Sequence, residues 1–302
     1  MISQVFSRIS VPALFFISGF LFFNNVSQFD FKLYLNKLKS RLRTLVVPMI
    51  FWNLLIILLY YFVQSLPRMA KLFSGNSKLI KDFSTFDFFN QLFGLNTTPI
   101  SYQFWFVRDL FIFCLFSPLL YFLLKKIKFS IFLIGIIWYF QIIPNFTGIF
   151  FFTFGCYFSI YDVDFLSFFK KFDKIGYILY AILATLDLLT KGMNYNWYIH
   201  SLGILFGVIS ILNLSAYLLK KQIFKENVFL SEASFFIFAM HEPLLTFLRK
   251  GFFILLKPKV EVTILGIYFA STFIVIVIGL FSFYTLKRLF PKFTKIITGG
   301  RG

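Results

Sequence analysis

The chain has 302 residues, of which 59% are hydrophobic, 23% aromatic and 14% charged, whereas soluble domains carry about 25% charged residues. Fifty phenylalanines could not all be buried in a water-soluble globule of this length, so the composition excludes a soluble domain and predicts a polytopic helical membrane protein. The net charge of +18 is explained by Lys and Arg in cytoplasmic loops, as is usual for membrane proteins, and we expect lipid rather than nucleic acid as a partner.

Nine apolar stretches separated by polar or basic connections predict an all-α transmembrane bundle of about nine spans, in one domain covering residues 1–302. The connection after the first span is strongly basic, and residues 64–103 form the longest polar loop. We expect the basic C-terminal tail to be frayed at Gly299 and Gly300. In chain order, the predicted spans are residues 9–23, 45–63, 102–124, 129–143, 146–161, 175–190, 197–219, 233–256 and 262–286.

The distribution of positive charge predicts the orientation of the chain in the membrane. Roughly two thirds of the 30 Lys and Arg residues fall in the tail and in the loops on the same side as the tail. Since Lys and Arg collect in cytoplasmic loops, the C-terminus is predicted to be cytoplasmic. Nine spans then place Met1 outside, whereas an even number of spans would keep both ends inside.

One stretch, residues 235–245, combines a histidine, a carboxylate and a proline inside an otherwise apolar run. Ionisable residues at membrane depth are costly and mark functional sites. Pro243 has no backbone N–H, so the carbonyl of Ala239 is predicted to need another partner. His241 is a candidate base, the alternative being a histidine hydrogen-bonded between helices. Glu242 could orient His241 or bind a substrate hydroxyl, or it could be a carboxylate that faces water at a helix end.

The start of the third predicted span carries a second group of polar residues. Trp105, Arg108 and Asp109 are spaced i, i+3 and i+4, so they share one face of a helix. The guanidinium fork of Arg108 could bind a phosphate or thioester oxygen, or Arg108 and Asp109 could form a structural pair that ties helices together. Trp105 is either an anchor at the membrane interface or a platform for a sugar.

Two further polar residues fall near predicted helix ends on the outer side of the membrane. We expect His200 to be a polar cap at the start of the seventh span and Asp187 to be solvated. With two histidines and no cluster of cysteines, the sequence predicts no metal site.

Four segments, in the same order, resemble motifs of the membrane acyltransferase 3 family. Residues Val11 to Leu21 resemble its VPxFFxISGFL motif, and Lys39 to Pro48 resemble its KRxxRLLxP segment. Trp105 to Leu110 is similar to its WFLxxL segment, and the stretch around His241 is similar to its SFxIYLxHxPL segment. The four segments are spread over most of the chain, from residue 11 to residue 245.

The resemblance implies a bacterial O-acyltransferase with ten spans in the cytoplasmic membrane. Such an enzyme moves an acyl group, typically acetyl from acetyl-CoA, from an acyl-CoA donor to a hydroxyl of a cell-surface or lipid-linked glycan, without a metal. The resemblance also implies that the chain begins at the family's second span, the family's favoured catalytic histidine being on the first. The alternatives are therefore an inactive fragment of the family and, from another class, a glycan or lipid exporter.

The candidate site residues follow from the polar groups within these motifs. Arg41 and Arg43 could bind the phosphates of coenzyme A on the cytoplasmic face, or they could be part of the positive charge that sets topology and binds anionic lipid. The candidate catalytic residues are His241, Glu242, Arg108 and Asp109, and the candidate substrate-binding residues are Trp105, Arg41 and Arg43.

Overall fold

The computed structural model describes residues 7–24, 26, 28–66, 78–223, 225 and 227–301. Helices are the only regular secondary structure in these ranges, which confirms the predicted all-α fold. The α-helices are α1 (Ser10–Phe23), α2 (Phe31–Arg41), α3 (Val47–Ser65), α4 (Thr85–Phe93), α5 (Trp105–Lys126), α6 (Ser130–Tyr139), α7 (Thr147–Ile160), α8 (Phe165–Lys170), α9 (Asp173–Leu189), α10 (Asn196–Lys220), α11 (Val228–Leu256), α12 (Glu261–Leu289) and α13 (Pro291–Ile297).

Each predicted span coincides with one helix, and most of the boundaries agree within a few residues. By length and composition, five helical segments of the described chain can cross a membrane, and α1, α6 and α7 are shorter apolar helices. The total number of spans therefore remains a prediction. The five long segments are Phe31–Ser65, Tyr102–Lys126, Asn196–Lys220, Val228–Leu256 and Glu261–Leu289.

The basic connection after α1 is helical rather than an irregular loop. Residues 31–46 contain neither Gly nor Pro and include many Lys, Leu and Arg residues, which are good helix formers. Helix α2 therefore continues into α3 through a five-residue π-helix, Leu42–Val46. Such π segments are rare in proteins and often mark functional sites.

The chain divides into two compact units. The first contains residues 1–38 and 112–225, and the second contains residues 39–111 and 226–302. In the first unit, α1 crosses α7 at unusually close range, because a Cβ atom on Gly19 would overlap the carbonyl oxygen of Phe152, and one on Gly155 would overlap that of Phe16. Glycines at both contact positions allow this close approach of the two helices.

In the second unit the C-terminal tail is packed against α3, so the expected fraying at Gly299 was wrong. Trp52 donates from its indole Nε1 to the carbonyl of Ile297 at 3.1 Å. Gly299 and Gly300 have φ angles of 66° and 87°. Their backbone N–H groups donate to the carbonyls of Ile296 and Lys295, which is the Schellman arrangement that ends a helix. These glycines therefore order the end of α13.

Candidate active site

Helix α11 is broken at Glu242, where the predicted stretch combines charge and proline. Glu242 has extended backbone angles of φ −105° and ψ 138°, and its peptide bond to Pro243 is cis. The carbonyl of Ala239 accepts a hydrogen bond from the side-chain Nε2 of Gln103 at 3.0 Å. The prediction that this carbonyl needs a partner from elsewhere in the chain is confirmed.

A cavity of about 170 Å³ adjoins the break within the second unit. The carboxylate Oε2 of Glu242 accepts a hydrogen bond from Thr246 at 2.7 Å. The hydroxyl of Ser101 is buried and has no partner among the described residues. The phenol rings of Tyr60 and Tyr102 line the same cavity. The cavity is lined by Ile56, Tyr60, Ile100, Ser101, Tyr102, Glu242, Pro243 and Thr246.

These lining groups have the chemistry to form hydrogen bonds with a polar group inside the cavity. Its volume is well above the ~10–15 Å³ that one water molecule needs. A carboxylate surrounded by hydroxyl groups offers both acceptors and donors of hydrogen bonds, and the aromatic rings of Tyr60 and Tyr102 add apolar surface. The cavity can therefore hold a small polar group such as one sugar unit.

A buried asparagine in α3 holds one wall of the cavity in place. Asn53 is fully buried and donates from Nδ2 to the carbonyl of Leu92 at 2.9 Å, while its Oδ1 accepts from the backbone N–H of Ser101 at 3.2 Å. Sequence reasoning missed Asn53. The available signal was an isolated amide in an otherwise uncharged apolar span.

Arg108 and Asp109 fix the loop that leads to the same wall. The guanidinium Nε of Arg108 donates to Asp109 at 2.8 Å. Its Nη1 donates to the carbonyls of Gly94 and Thr97, the latter at 3.1 Å. Two of the five N–H groups of the guanidinium, those on Nη2, have no protein partner within the described residues. Most of the Arg108 fork is thus engaged by the loop before Ser101.

His241 is adjacent to Glu242 in the sequence but has a separate hydrogen-bond partner. Its Nδ1 lies 2.6 Å from the carbonyl oxygen of Phe238. Because a carbonyl only accepts, Nδ1 carries the proton, and Nε2 of the neutral ring is left as the basic nitrogen. His241 is half-buried and is not among the residues that line the cavity.

The remaining candidates lie outside the cavity lining. Trp105 is half-buried, and its ring lies 6.5 Å from that of Phe106. Arg41 is half-buried and Arg43 is exposed, both on the continuous helix that starts at Phe31. The structure therefore brings Glu242 together with residues that sequence reasoning did not select, above all Ser101 and the two tyrosines.

The expectation that Asp187 is solvated was wrong. Asp187 is only 6% exposed, and its Oδ2 lies 2.7 Å from Nδ1 of His200. Its Oδ1 accepts from Nδ2 of Asn196 at 2.9 Å. The tight connection between α9 and α10 brings these side chains together, and a carboxylate buried in this way requires partners because desolvation is costly. In the part of the chain that is described, no three His, Cys, Asp or Glu side chains form a cluster suited to a metal ion.

Comparison with known proteins identifies the class. The family model described as an acyltransferase domain matches residues 1–285, so the chain belongs to the acyltransferase 3 family and is an acyltransferase with membrane-type helices. The chain is 27% identical over 312 residues to the succinoglycan biosynthesis protein ExoH of Rhizobium meliloti (strain 1021), covering 97% of this chain and 80% of that protein. No solved structure matches the chain. The family resemblance drawn from the four motifs is confirmed.

Proposed function

We propose that the chain transfers an acyl group, acetyl in the simplest case, from acyl-CoA to a hydroxyl of a cell-surface or lipid-linked glycan. Membership of the acyltransferase family supports the reaction type, and similarity to a relative named for succinoglycan biosynthesis supports a glycan acceptor. The observation that carries the proposal is the cavity beside the broken helix, where a carboxylate lies among hydroxyl groups. Broken helices and polar cavities are typical ligand sites of membrane proteins.

The proposed chemistry is a single displacement at the thioester carbonyl. The acceptor oxygen forms a bond to the acyl carbon, the bond from that carbon to sulfur breaks, and coenzyme A leaves as a thiol once it has taken up a proton. Glu242 accepts a hydrogen bond from a second, non-reacting hydroxyl of the glycan in the cavity, while the reacting hydroxyl gives its proton to a base. His241 is the candidate base, because the carbonyl of Phe238 fixes the tautomer that leaves Nε2 free to take a proton.

The other candidates have supporting roles in this proposal. Arg108 and Asp109 act as positioning residues, because their contacts hold the loop before Ser101 rather than an open site. Arg41 and Arg43 bind phosphates of the donor, and Trp105 contacts the glycan. The membrane is the bacterial cytoplasmic membrane, with the C-terminus on the cytoplasmic side.

A glycan or lipid exporter is the second candidate function. The break in α11 favours it, since many transporters bind their substrates at discontinuous helices. Family membership favours acyl transfer. The two functions differ in product: an exporter moves the glycan unchanged, whereas an acyltransferase forms a new ester.

The test uses the purified chain in proteoliposomes with radiolabelled acetyl-CoA and glycan isolated from the producing cells. We expect label in the glycan that is released by mild alkali, as an O-acyl ester is. Glu242→Gln should raise KM for the glycan ~10- to 100-fold, because a hydrogen bond to a charged group is lost. His241→Gln should lower kcat ~10²- to 10⁴-fold, the usual contribution of a positioned base.

The matched control is Glu261→Gln, which neutralises an exposed carboxylate in the first turn of α12. It should leave both constants unchanged. If acetyl-, propionyl- and succinyl-CoA all fail to label the glycan while the glycan crosses the vesicle membrane, the exporter replaces the acyltransferase.

A further inference from the structure

The C-terminal segment packs against the helical segment that contains Thr44, and it carries Arg301. Gly299 packs so closely on the helix that begins at Phe31 that a Cβ atom would overlap the carbonyl oxygen of Thr44. Two residues later, Arg301 stacks on an aromatic ring: its Cζ atom lies 4.7 Å from the centroid of Phe235. The Schellman turn at the end of α13 and this cation–π contact fix the position of the guanidinium.

Two hydrogen-bond donors in this region are buried and unsatisfied. Nη1 of Arg301 and the hydroxyl of Thr44 have no partner among the described residues. Glu232 lies one turn before Phe235 on α11, but Lys287 binds its carboxylate. Buried donors without a partner are costly, because they lose their hydration and gain nothing in exchange.

Arg41 lies three residues before Thr44 on the same continuous helical segment, so it adds a second positive charge about one turn away from Thr44. It is half-buried and makes no ion pair with a described carboxylate. Burial, and then the charge of Arg41, lowers the pKa of the Arg301 guanidinium. Two positive charges in a partly desolvated region repel each other, and a bound anion would attract both and offset that repulsion.

We propose that Arg41, Thr44 and Arg301 form a binding site for a phosphate group, with the C-terminal tail completing it. Guanidinium groups bind phosphate through paired N–H donors, and a threonine hydroxyl adds a second kind of donor. The π-helix Leu42–Val46 supports the assignment, because it places Thr44 on a widened helical turn of the type found at functional sites.

The phosphate belongs to the acyl-CoA donor, and this part of the inference rests on the proposed function. Coenzyme A carries a pyrophosphate and a 3′-phosphate, which suit a site rich in arginine. An anionic lipid headgroup offers the same phosphate chemistry. The experiment therefore has one arm for each source.

The first arm measures binding of coenzyme A and 3′-dephospho-CoA by calorimetry, with the full chain in nanodiscs of phosphatidylcholine. Arg301→Gln and Arg41→Gln should each weaken binding of coenzyme A ~10- to 100-fold, since each removes charge-assisted hydrogen bonds. Arg301→Lys should recover only part of the loss, because the fork is absent. The matched control is Arg288→Gln, an exposed arginine in the last turn of α12, which should change binding less than twofold.

The second arm counts phosphatidylglycerol molecules retained by the same variants in native mass spectrometry. Melting temperatures within a few degrees of wild type show that each variant is folded. If the Arg301 and Arg41 variants lose coenzyme A binding, the site is supported and its phosphate comes from coenzyme A. If both variants instead lose one retained lipid, the site is supported and its phosphate comes from a lipid headgroup. If both variants keep wild-type binding of coenzyme A and of lipid, the site does not exist.

Failure of the proposed function gives a different result. If the wild-type chain binds no coenzyme A and transfers no acyl group, the donor assignment fails, while the lipid arm still decides whether the three residues bind phosphate.

Discussion

Replacing Gln103 with leucine tests the break in α11, because the side chain of Gln103 is the partner of the carbonyl that Pro243 leaves free. The donor and acceptor atoms are 3.0 Å apart, and both residues are buried. A buried acceptor left without a donor costs ~1–3 kcal/mol, whereas hydrogen bonds between membrane helices average ~0.6 kcal/mol and reach ~1.7 kcal/mol.

The leucine variant also removes an unfavourable buried acceptor, since Oε1 of Gln103 is buried without a partner among the described residues. This gain offsets part of the loss, so we expect Gln103→Leu to lower the free energy of unfolding by ~1 kcal/mol. The offset makes the single variant an ambiguous measurement. A double-mutant cycle removes the ambiguity.

Pro243→Ala supplies the second half of the cycle: alanine has a backbone N–H and no longer disfavours helical angles at Glu242, so the helix can re-form and this N–H can donate to the carbonyl of Ala239. In the Pro243→Ala background the carbonyl of Ala239 no longer needs the Gln103 side chain. The stability gained by removing the unpaired Oε1 is the same in both backgrounds, so it cancels when the two effects of Gln103→Leu are subtracted. We expect a coupling free energy of ~1–2 kcal/mol, larger than the net loss in the single variant because the gain at Oε1 no longer offsets it, measured by reversible unfolding in mixed detergent micelles. A coupling below ~0.3 kcal/mol, the size expected of independent sites, would refute the pairing of Gln103 with Ala239.

Three further predictions concern other parts of the chain. Gly155→Val should lower the free energy of unfolding by ~1–3 kcal/mol through overpacking, whereas Gly266→Val, where a Cβ meets nothing within 4 Å, should cost much less; equal losses would contradict the close crossing of α1 and α7. Asp187→Asn should lower the melting temperature, because the charge-assisted contact with His200 at 2.7 Å is lost; an unchanged melting temperature would contradict that role. The hydrogen bond from Lys78, together with those from Ser84, lowers the pKa of Asp87 from 3.8 to about 2. The lowered pKa stabilises the start of α4 above pH 4, and this stabilisation is lost as the pH falls through about 2, so amide protection at residues 84–88 should decrease only in that range.

The sequence predicted the helices well, because long apolar runs bounded by charged connections leave few alternatives in a membrane. It also predicted that the carbonyl of Ala239 would need a partner, since that follows from the chemistry of Pro243 alone. It could not identify Gln103 as that partner, because the two residues are 136 positions apart and only tertiary packing brings them together.

The other differences have the same origin. Asp187 was expected in water because it lies at a helix end, but the short connection to α10 places Asn196 and His200 against it. Gly299 was interpreted as flexible, although a glycine with positive φ is also the residue that ends a helix in order. One wall of the cavity beside Glu242 depends on Asn53, whose isolated amide marked it as a residue of interest but whose partners, Leu92 and Ser101, lie far away in the sequence.

The measurement that tests the central claim most directly is the content of alkali-labile acyl groups on the surface glycan of the producing cells. The account predicts that deletion of the gene removes these groups while the amount of exported glycan is unchanged. Wild-type protein and the Glu261→Gln control should restore them, and Glu242→Gln, expressed at the same level, should not. Full restoration by Glu242→Gln would contradict the assignment of the cavity as the active site, and retention of every acyl group after deletion would contradict acyl transfer to the glycan.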